Sequence, residues 1–121
     1  MYSIVIFLLL FGTSVFAHQM SPTYPELKPS YMDGLSTARV RVFNKREDVK
    51  FYEIGVFDKD MKPIPFVTQY HLRGINFNQY AIFDVFINDK FKDDAVYVCT
   101  ESMLTEGKLA LASKICSKFK K

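Results

Sequence analysis

Apolar and polar residues alternate along most of this sequence with a period of two, a pattern that predicts β-strands and argues against helices. Residues 36–44, STARVRVFN, give a clear case, because Ala38, Val40 and Val42 alternate with two arginines. One face of this strand is therefore predicted to lie in the core, and the arginine face is predicted to meet solvent.

Segments of this kind recur at short intervals and are separated by turn residues, without any segment long enough for a helical crossover. The predicted strands are MSPTYPEL (20–27), STARVRVFN (36–44), KFYEIGVFD (50–58), IPFVTQY (64–70), YAIFDVFI (80–87), AVYVCTESML (95–104) and KLALASKIC (108–116). The two prolines of the first segment favour an edge strand. About seven short strands predict an all-β protein, an immunoglobulin-like antiparallel β-sandwich.

The first 17 residues, MYSIVIFLLLFGTSVFA, contain no charged side chain and end in Val15-Phe16-Ala17. This pattern predicts a secretory signal peptide, cleaved after residue 17. An uncleaved membrane anchor is the alternative, but the apolar run is shorter than the roughly 20 residues that a spanning helix needs. We therefore expect one domain, residues 18–121, that is periplasmic or secreted and has no membrane span after cleavage.

Export bears directly on the two cysteines, Cys99 and Cys116. In an oxidising compartment, a pair of cysteines favours a disulfide over a metal or redox site. A type II′ turn at residues 107–108 would close a terminal hairpin in which Cys99 lies directly opposite Cys116, at a non-hydrogen-bonded position. The sequence thus predicts a structural disulfide across the last two strands.

The same hairpin register divides the side chains of the last two strands between two faces. Tyr97 and both cysteines fall on the outer face. The predicted core face carries Val96, Val98, Leu104, Leu109, Leu111 and Ile115.

The formal net charge of +3 belongs to residues 18–121, since the predicted signal has no charge. Much of the excess comes from lysines near the C-terminus, which are Lys108, Lys114, Lys118, Lys120 and Lys121. No aromatic platform or glycine-rich loop accompanies them, so a solvated basic surface is favoured and nucleic acid is not a predicted partner.

Several segments, taken in order, are similar to one known family. They are MSPTYPEL, ARVRVFNKRE, FYEIGVFD, PIPFVTQYHLRG, AIFDVFI and LALASKICSKF, together with the early SPT, the strand-ending Asn44 and the pair Pro65-Phe66. This order resembles the N-terminal immunoglobulin-like domain of the PapD-like periplasmic chaperones of pilus assembly. The family also has a second domain and a basic pair that anchors the subunit's C-terminal carboxylate. Tyr24 and Cys116 stand at the aligned positions of that pair.

The sequence therefore predicts a small exported, non-catalytic binding or structural module. For the binding role, the resemblance implies β-strand addition to another exported protein through the last strand. The residues that would take part are Leu109, Leu111 and Ile115, with Lys114 beside them. The alternative is that the three apolar residues fill the core of their own domain.

A second hypothesis follows from the predicted cleavage site, because His18 would become the N-terminal residue. Its amine and imidazole, with His71 as a third ligand, would suit Cu(II) in a secreted copper-binding protein. This site requires the first strand to bring His18 beside TQYHLRG. Apart from copper in this alternative, no cofactor is predicted.

Catalysis has little support in the sequence, which has no G-x-S-x-G, no H-E-x-x-H and no phosphate loop. Asp84 lies on the polar side of its strand and is interpreted as a solvated acid. We therefore predict that the protein is not an enzyme.

Overall fold

Two antiparallel sheets make up the protein in the computed structural model, which describes residues 18–103 and 113–121. The strands of the described part are β1 (Gln19–Ser21), β2 (Lys28–Pro29), β3 (Leu35–Phe43), β4 (Phe51–Phe57), β5 (Val67–Thr68), β6 (Leu72–Gly74), β7 (Tyr80–Asn88), β8 (Tyr97–Met103) and β9 (Lys114–Lys118). The predicted signal peptide, residues 1–17, lies outside the described residues, so its cleavage remains a prediction.

The first sheet has the order β1-β3-β7-β5, with β2 also paired to β3, and the second has the order β6-β4-β8-β9. Every strand pair is antiparallel. The predicted all-β, two-sheet antiparallel sandwich is therefore confirmed.

A long ladder between β3 and β7 forms the centre of the first sheet. It runs from the Leu35–Asn88 pair to the Phe43–Tyr80 pair without a bulge. The inward side chains of both strands are buried, as the period-two pattern predicted. These core residues are Ala38, Val40, Val42, Ala81, Phe83, Val85 and Ile87.

The second sheet closes the core from the other side through β4 and β8. Ile54, Val56 and Val98 are at most 3 % exposed and pack into the same cluster as the residues of the first sheet. Each fully buried side chain of this kind stabilises the fold by about 1.5–3 kcal/mol relative to an exposed one.

The short strands differ from the sequence prediction. MSPTYPEL does not form one strand; it contributes β1 at its start, and β2 begins just after Leu27. Pro22 and Pro25 lie between them, and proline has no N–H to donate to a ladder. IPFVTQY forms only the two-residue β5, and the unpredicted β6 pairs with β4 at the edge of the second sheet.

Helical structure is confined to one 3-10 turn, Asp89–Phe91, within residues 18–103 and 113–121. Asn88 caps this turn by accepting the N–H of Lys90 at 3.0 Å. In the same two ranges we find no helix of the length and apolar character that crossing a membrane requires.

Candidate functional site

The disulfide between Cys99 and Cys116 fixes β9 against β8. The two cysteines are directly opposite each other in the β8–β9 register, and their Cα atoms are 4.0 Å apart. Nearby, the N–H of Ser102 donates a 2.9 Å bond to the carbonyl of Ser113. Because hydrogen-bonded pairs alternate along an antiparallel ladder, the cysteines occupy a non-hydrogen-bonded pair. The predicted disulfide and register are confirmed.

The other edge of β9 is open among the residues that the structure describes. β9 is the last strand of its sheet and pairs only with β8 there. The alternation set by Ser102 and Ser113 directs the N–H and C=O groups of Lys114, Cys116 and Lys118 away from β8. These three residues present the backbone groups that an additional strand would pair with.

The open edge ends just after Lys118. The N–H of Phe119 donates to the carbonyl of Val96 at 2.9 Å, and the N–H of Lys120 donates to the carbonyl of Pro25 at 2.8 Å. A parallel bridge between Glu26 and Lys120 continues this contact. Residues 114–118 are therefore the stretch of this edge available for pairing in the described structure.

The side chains on the inner side of β9 pack against the rest of the domain. Ser117 and Phe119 are buried, and Ile115 is half-buried on the same face as Val98. Ile115 therefore lies on its predicted face, and Lys114 lies exposed on the outer face. The other predicted partner-binding residues, Leu109 and Leu111, lie outside the described residues, as do Leu104 and the turn at 107–108.

A groove of about 510 Å³ runs along the side of the sandwich where β1 lies against β9. Its lining includes the half-buried Met20, Phe43 and Ile115 and the exposed Arg41. Side chains from both sheets thus meet at the open edge of β9, which gives the edge an apolar floor and a positively charged border.

His18, immediately before β1, also lines this groove. Its side chain is 1 % exposed. Nε2 is 2.8 Å from Oγ1 of Thr100, and Nδ1 is 3.1 Å from Oγ of Ser113. Its ring also packs against Tyr52, with 4.7 Å between centroids. Burial lowers the pKa of His18 below its ordinary value of 6.5; the charge of Arg46 lowers it further, and the hydrogen bond to Thr100 partly offsets both.

The structure does not bring His18 and His71 together. His18 is at the β1/β9 side of the sandwich, whereas His71 immediately precedes β6 on the opposite side. Three interstrand spacings, roughly 14 Å, separate these two sides. His71 is exposed, with its ring 5.0 Å from that of Phe66. The two-histidine arrangement that the copper hypothesis requires is not formed, because the two side chains lie on opposite sides of the sandwich.

Residues 18–103 and 113–121 contain no other candidate metal site. No cluster of three or more His, Cys, Asp or Glu side chains occurs there. Asp84, interpreted from the sequence as a solvated acid, accepts a 2.8 Å bond from Nε of the exposed Arg39 on the outer face of the first sheet.

A buried polar network behind the site was missed by the sequence analysis. Asn44 is fully buried, and its Nδ2 donates to the carbonyls of Val49 and Ile75, both at 2.8 Å. Its Oδ1 accepts the N–H of Arg46 at 2.8 Å and the hydroxyl of Tyr52 at 2.6 Å. All four hydrogen-bonding positions of this amide are used. The only sequence signal was an asparagine that ends an alternating strand.

The outer face of the second sheet shields the disulfide. Gly55 lies opposite Cys99, and the ring of Phe57 covers the place where a Cβ of Gly55 would project. Nζ of Lys114 is 4.5 Å from the centroid of this ring, a cation–π contact. Cys99 is buried as a result, whereas Cys116 at the open edge is exposed.

The comparisons with known proteins concern the fold. No protein-family description and no curated protein matches the sequence. Among solved structures, the chain is similar to the periplasmic chaperone SfaE, with 12 % identity and a TM-score of 0.56. The match covers 85 % of this chain and 56 % of the chaperone, so the chain spans little more than half the length of that protein.

A FixG-related protein from Vibrio parahaemolyticus is similar over a larger share of its own length. The identity is 15 % and the TM-score is 0.50, with 87 % of this chain and 96 % of the other covered. At these identities the likeness concerns the fold alone. The two-sheet arrangement and the likeness to SfaE together confirm the predicted immunoglobulin-like β-sandwich and its resemblance to a pilus-chaperone domain.

Proposed function

We propose that this protein is an exported, non-catalytic module that binds another exported protein by adding a strand of that partner to the open edge of β9. The observation that carries this proposal is the outward direction of the backbone groups at Lys114, Cys116 and Lys118. Strand addition uses such groups for affinity and uses side-chain pockets beside them for specificity.

Main-chain bonds alone would give weak binding at such a short edge. Each hydrogen bond contributes about 0.5–1.5 kcal/mol net, and ordering the partner strand costs free energy. Additional contacts are therefore needed. The groove between Met20 and Ile115 supplies an apolar surface next to the edge.

The disulfide supports a location outside the reducing cytosol. Cys99 and Cys116 are the only cysteines of the chain, and they are joined. Disulfides persist in oxidising compartments such as the bacterial periplasm and the extracellular medium. A periplasmic or secreted location is thus part of the proposal and agrees with the signal peptide predicted at residues 1–17.

The perturbed ionisable groups of the described structure support a binding role over catalysis. Burial raises the pKa of Tyr52 to about 12, so this hydroxyl stays protonated and donates to Asn44. His18 has both ring nitrogens engaged by Thr100 and Ser113. His18 borders the groove, but its imidazole is hydrogen-bonded within the domain, which gives it a structural role.

Proline substitution tests the proposal at the backbone. In Lys114→Pro/Lys118→Pro the two outward N–H groups are lost, while the ladder with β8 keeps its donors. The matched control, Lys114→Ala/Lys118→Ala, keeps both N–H groups. Each form serves as bait for periplasmic extract and culture medium, and bound proteins are identified by mass spectrometry.

We expect a defined exported protein to be captured by the wild-type chain and lost with the proline variant. In the complex, amide exchange at residues 114, 116 and 118 should slow down. Capture that the prolines leave unchanged, or a complex that does not protect these amides, would overturn the proposal. The circular dichroism spectrum and the intact disulfide show whether each variant has folded.

A further inference from the structure

The outer side of the β9 edge carries two lysines at a fixed spacing. Lys114 and Lys118 are exposed and flank Cys116 on the same face of the second sheet. Lys118 faces the uncharged Tyr97 in the β8–β9 register. Lys114 faces Glu101, but its Nζ contacts the ring of Phe57 and forms no ion pair with that carboxylate. The ion pairs found in the described ranges involve neither lysine. An added strand would therefore meet two positive charges that have no ion-pair partner there.

The pleat of β9 sets which partner residues face these lysines. Directly opposite residues of adjacent strands place their side chains on the same face, and the side-chain period is two. The partner residues opposite Lys114 and Lys118 are therefore four positions apart, at i and i+4. The residue between them, at i+2, lies opposite Cys116. Opposite charges in such cross-strand pairs are stabilising, and like charges are destabilising.

The intervening partner residues, at i+1 and i+3, point to the inner side of the sheet. On that side the groove between Met20 and Ile115 has a volume of about 510 Å³, enough for apolar side chains of ordinary size. Arg41 in its lining adds a further positive charge. The edge thus offers a charged row on one side and an apolar recess on the other.

Pairing of this edge with the same edge of a second copy is disfavoured in the register that aligns the whole of β9. In a two-fold antiparallel pairing centred on Cys116, Lys114 of each copy would lie opposite Lys118 of the other. Both cross-strand pairs would then be repulsive, and lysines on exposed edges generally oppose such self-pairing. The charge pattern favours a different chain of opposite charge.

We propose that the β9 edge binds an extended segment in which acidic residues at i and i+4 face Lys114 and Lys118 and apolar residues at i+1 and i+3 enter the groove beside Ile115. This inference rests on the proposed strand addition and specifies the chemistry of the partner. It assigns specificity to charges on the outer face of β9.

Synthetic peptides test this partner chemistry directly. The first has Glu at i and i+4 and Val at i+1 and i+3. A second replaces both Glu residues with Lys, and a third replaces both Val residues with Ser. Binding of each fluorescein-labelled peptide is followed by anisotropy, and amide exchange at residues 114, 116 and 118 reports where it binds.

The wild-type chain should bind the Glu peptide roughly five-fold to thirty-fold more tightly than the Lys peptide, since two cross-strand pairs change from attraction to repulsion. In Lys114→Glu/Lys118→Glu this preference should reverse. The Ser peptide should bind more weakly than the Glu/Val peptide to both forms. Raising the salt concentration should reduce the preference of the wild-type chain, because these charges are exposed.

The outcomes distinguish the preference for an acidic partner from strand addition at β9 itself. Equal binding of the Glu and Lys peptides, with the three amides protected by both, would overturn the acidic-partner inference and leave strand addition standing. If no peptide protects these amides, strand addition at β9 is itself wrong. The salt dependence of the wild-type chain keeps the test decisive even if the double glutamate variant does not fold.

Discussion

The hydroxyl of Tyr52 donates a 2.6 Å hydrogen bond to Oδ1 of Asn44, and both side chains are fully buried. This bond connects β4 to the residue that follows β3. The ring of Tyr52 also packs against His18, immediately before β1. One tyrosine thus connects the polar network of the interior with the strand that borders the candidate site.

Substitutions of Tyr52 and Asn44 should lower the free energy of unfolding by clearly different amounts. Tyr52→Phe removes one hydrogen bond and should lower the free energy of unfolding by about 1 kcal/mol. Asn44→Ala removes four bonds and leaves the carbonyls of Val49 and Ile75 buried without a donor, so about 3 kcal/mol or more should be lost. Urea unfolding measures both. Equal costs for the two variants would contradict this account of the network.

Removing the disulfide should destabilise the domain without changing the fold. The cysteines lie 17 positions apart in the sequence. In the chain-entropy model a loop of this size is worth about 3 kcal/mol. Cys99→Ala/Cys116→Ala should lose approximately that free energy of unfolding in urea titration. Non-reducing mass spectrometry should show the two cysteines joined, and two free thiols would refute the register. After mild reduction, exposed Cys116 should be alkylated before buried Cys99.

Stability should depend on pH through His18. Its folded pKa lies below the ordinary 6.5 because burial disfavours the imidazolium, so between these two values the unfolded chain binds more protons. The contribution of His18 is therefore fully present above about pH 6.5 and is lost as the pH falls towards the folded pKa. Urea midpoints measured across this window should fall for the wild-type chain. They should fall less for His18→Gln, and identical pH profiles would be contrary evidence.

Replacing Gly55 with alanine should disturb the outer face of the second sheet more than the same replacement at Gly74. A Cβ at Gly55 would lie 2.9 Å from two ring atoms of Phe57, whereas at Gly74 the nearest atom is 3.4 Å away. Gly55→Ala should therefore displace the ring of Phe57 and end its contact with Lys114, at a cost of about 1 kcal/mol or less because the ring can turn away. The ring-current shift of the Lys114 side-chain protons should disappear in Gly55→Ala and persist in Gly74→Ala.

The long strands could be predicted because their burial follows directly from the sequence period. STARVRVFN and YAIFDVFI alternate regularly, and the structure buries the predicted faces of β3 and β7. The cysteine pairing was also predictable, since an antiparallel hairpin has a strict two-residue alternation. In these cases local pattern and tertiary packing agree.

The polar part of the site was not predictable from pattern. His18 and Asn44 are buried because distant residues supply hydrogen bonds, such as Thr100 for His18 and Ile75 for Asn44. A period-two pattern contains no information about such partners. For a related reason, the sequence could not show that His18 and His71 lie on opposite sides of the sandwich. The side on which a histidine lies depends on strand order and not on spacing along the chain.

The ladder between β3 and β7 has a consequence for how the protein assembles. Its innermost pair joins Phe43 to Tyr80, and between them the chain must complete β4, β5 and β6. Such distant pairings lose loop-closure entropy before the new contacts stabilise the chain. Folding is therefore slow, and strand edges stay exposed until the pairing is complete. While the polypeptide is being made, β3 remains without its main neighbour until β7 has emerged, and the second sheet is still incomplete at that moment.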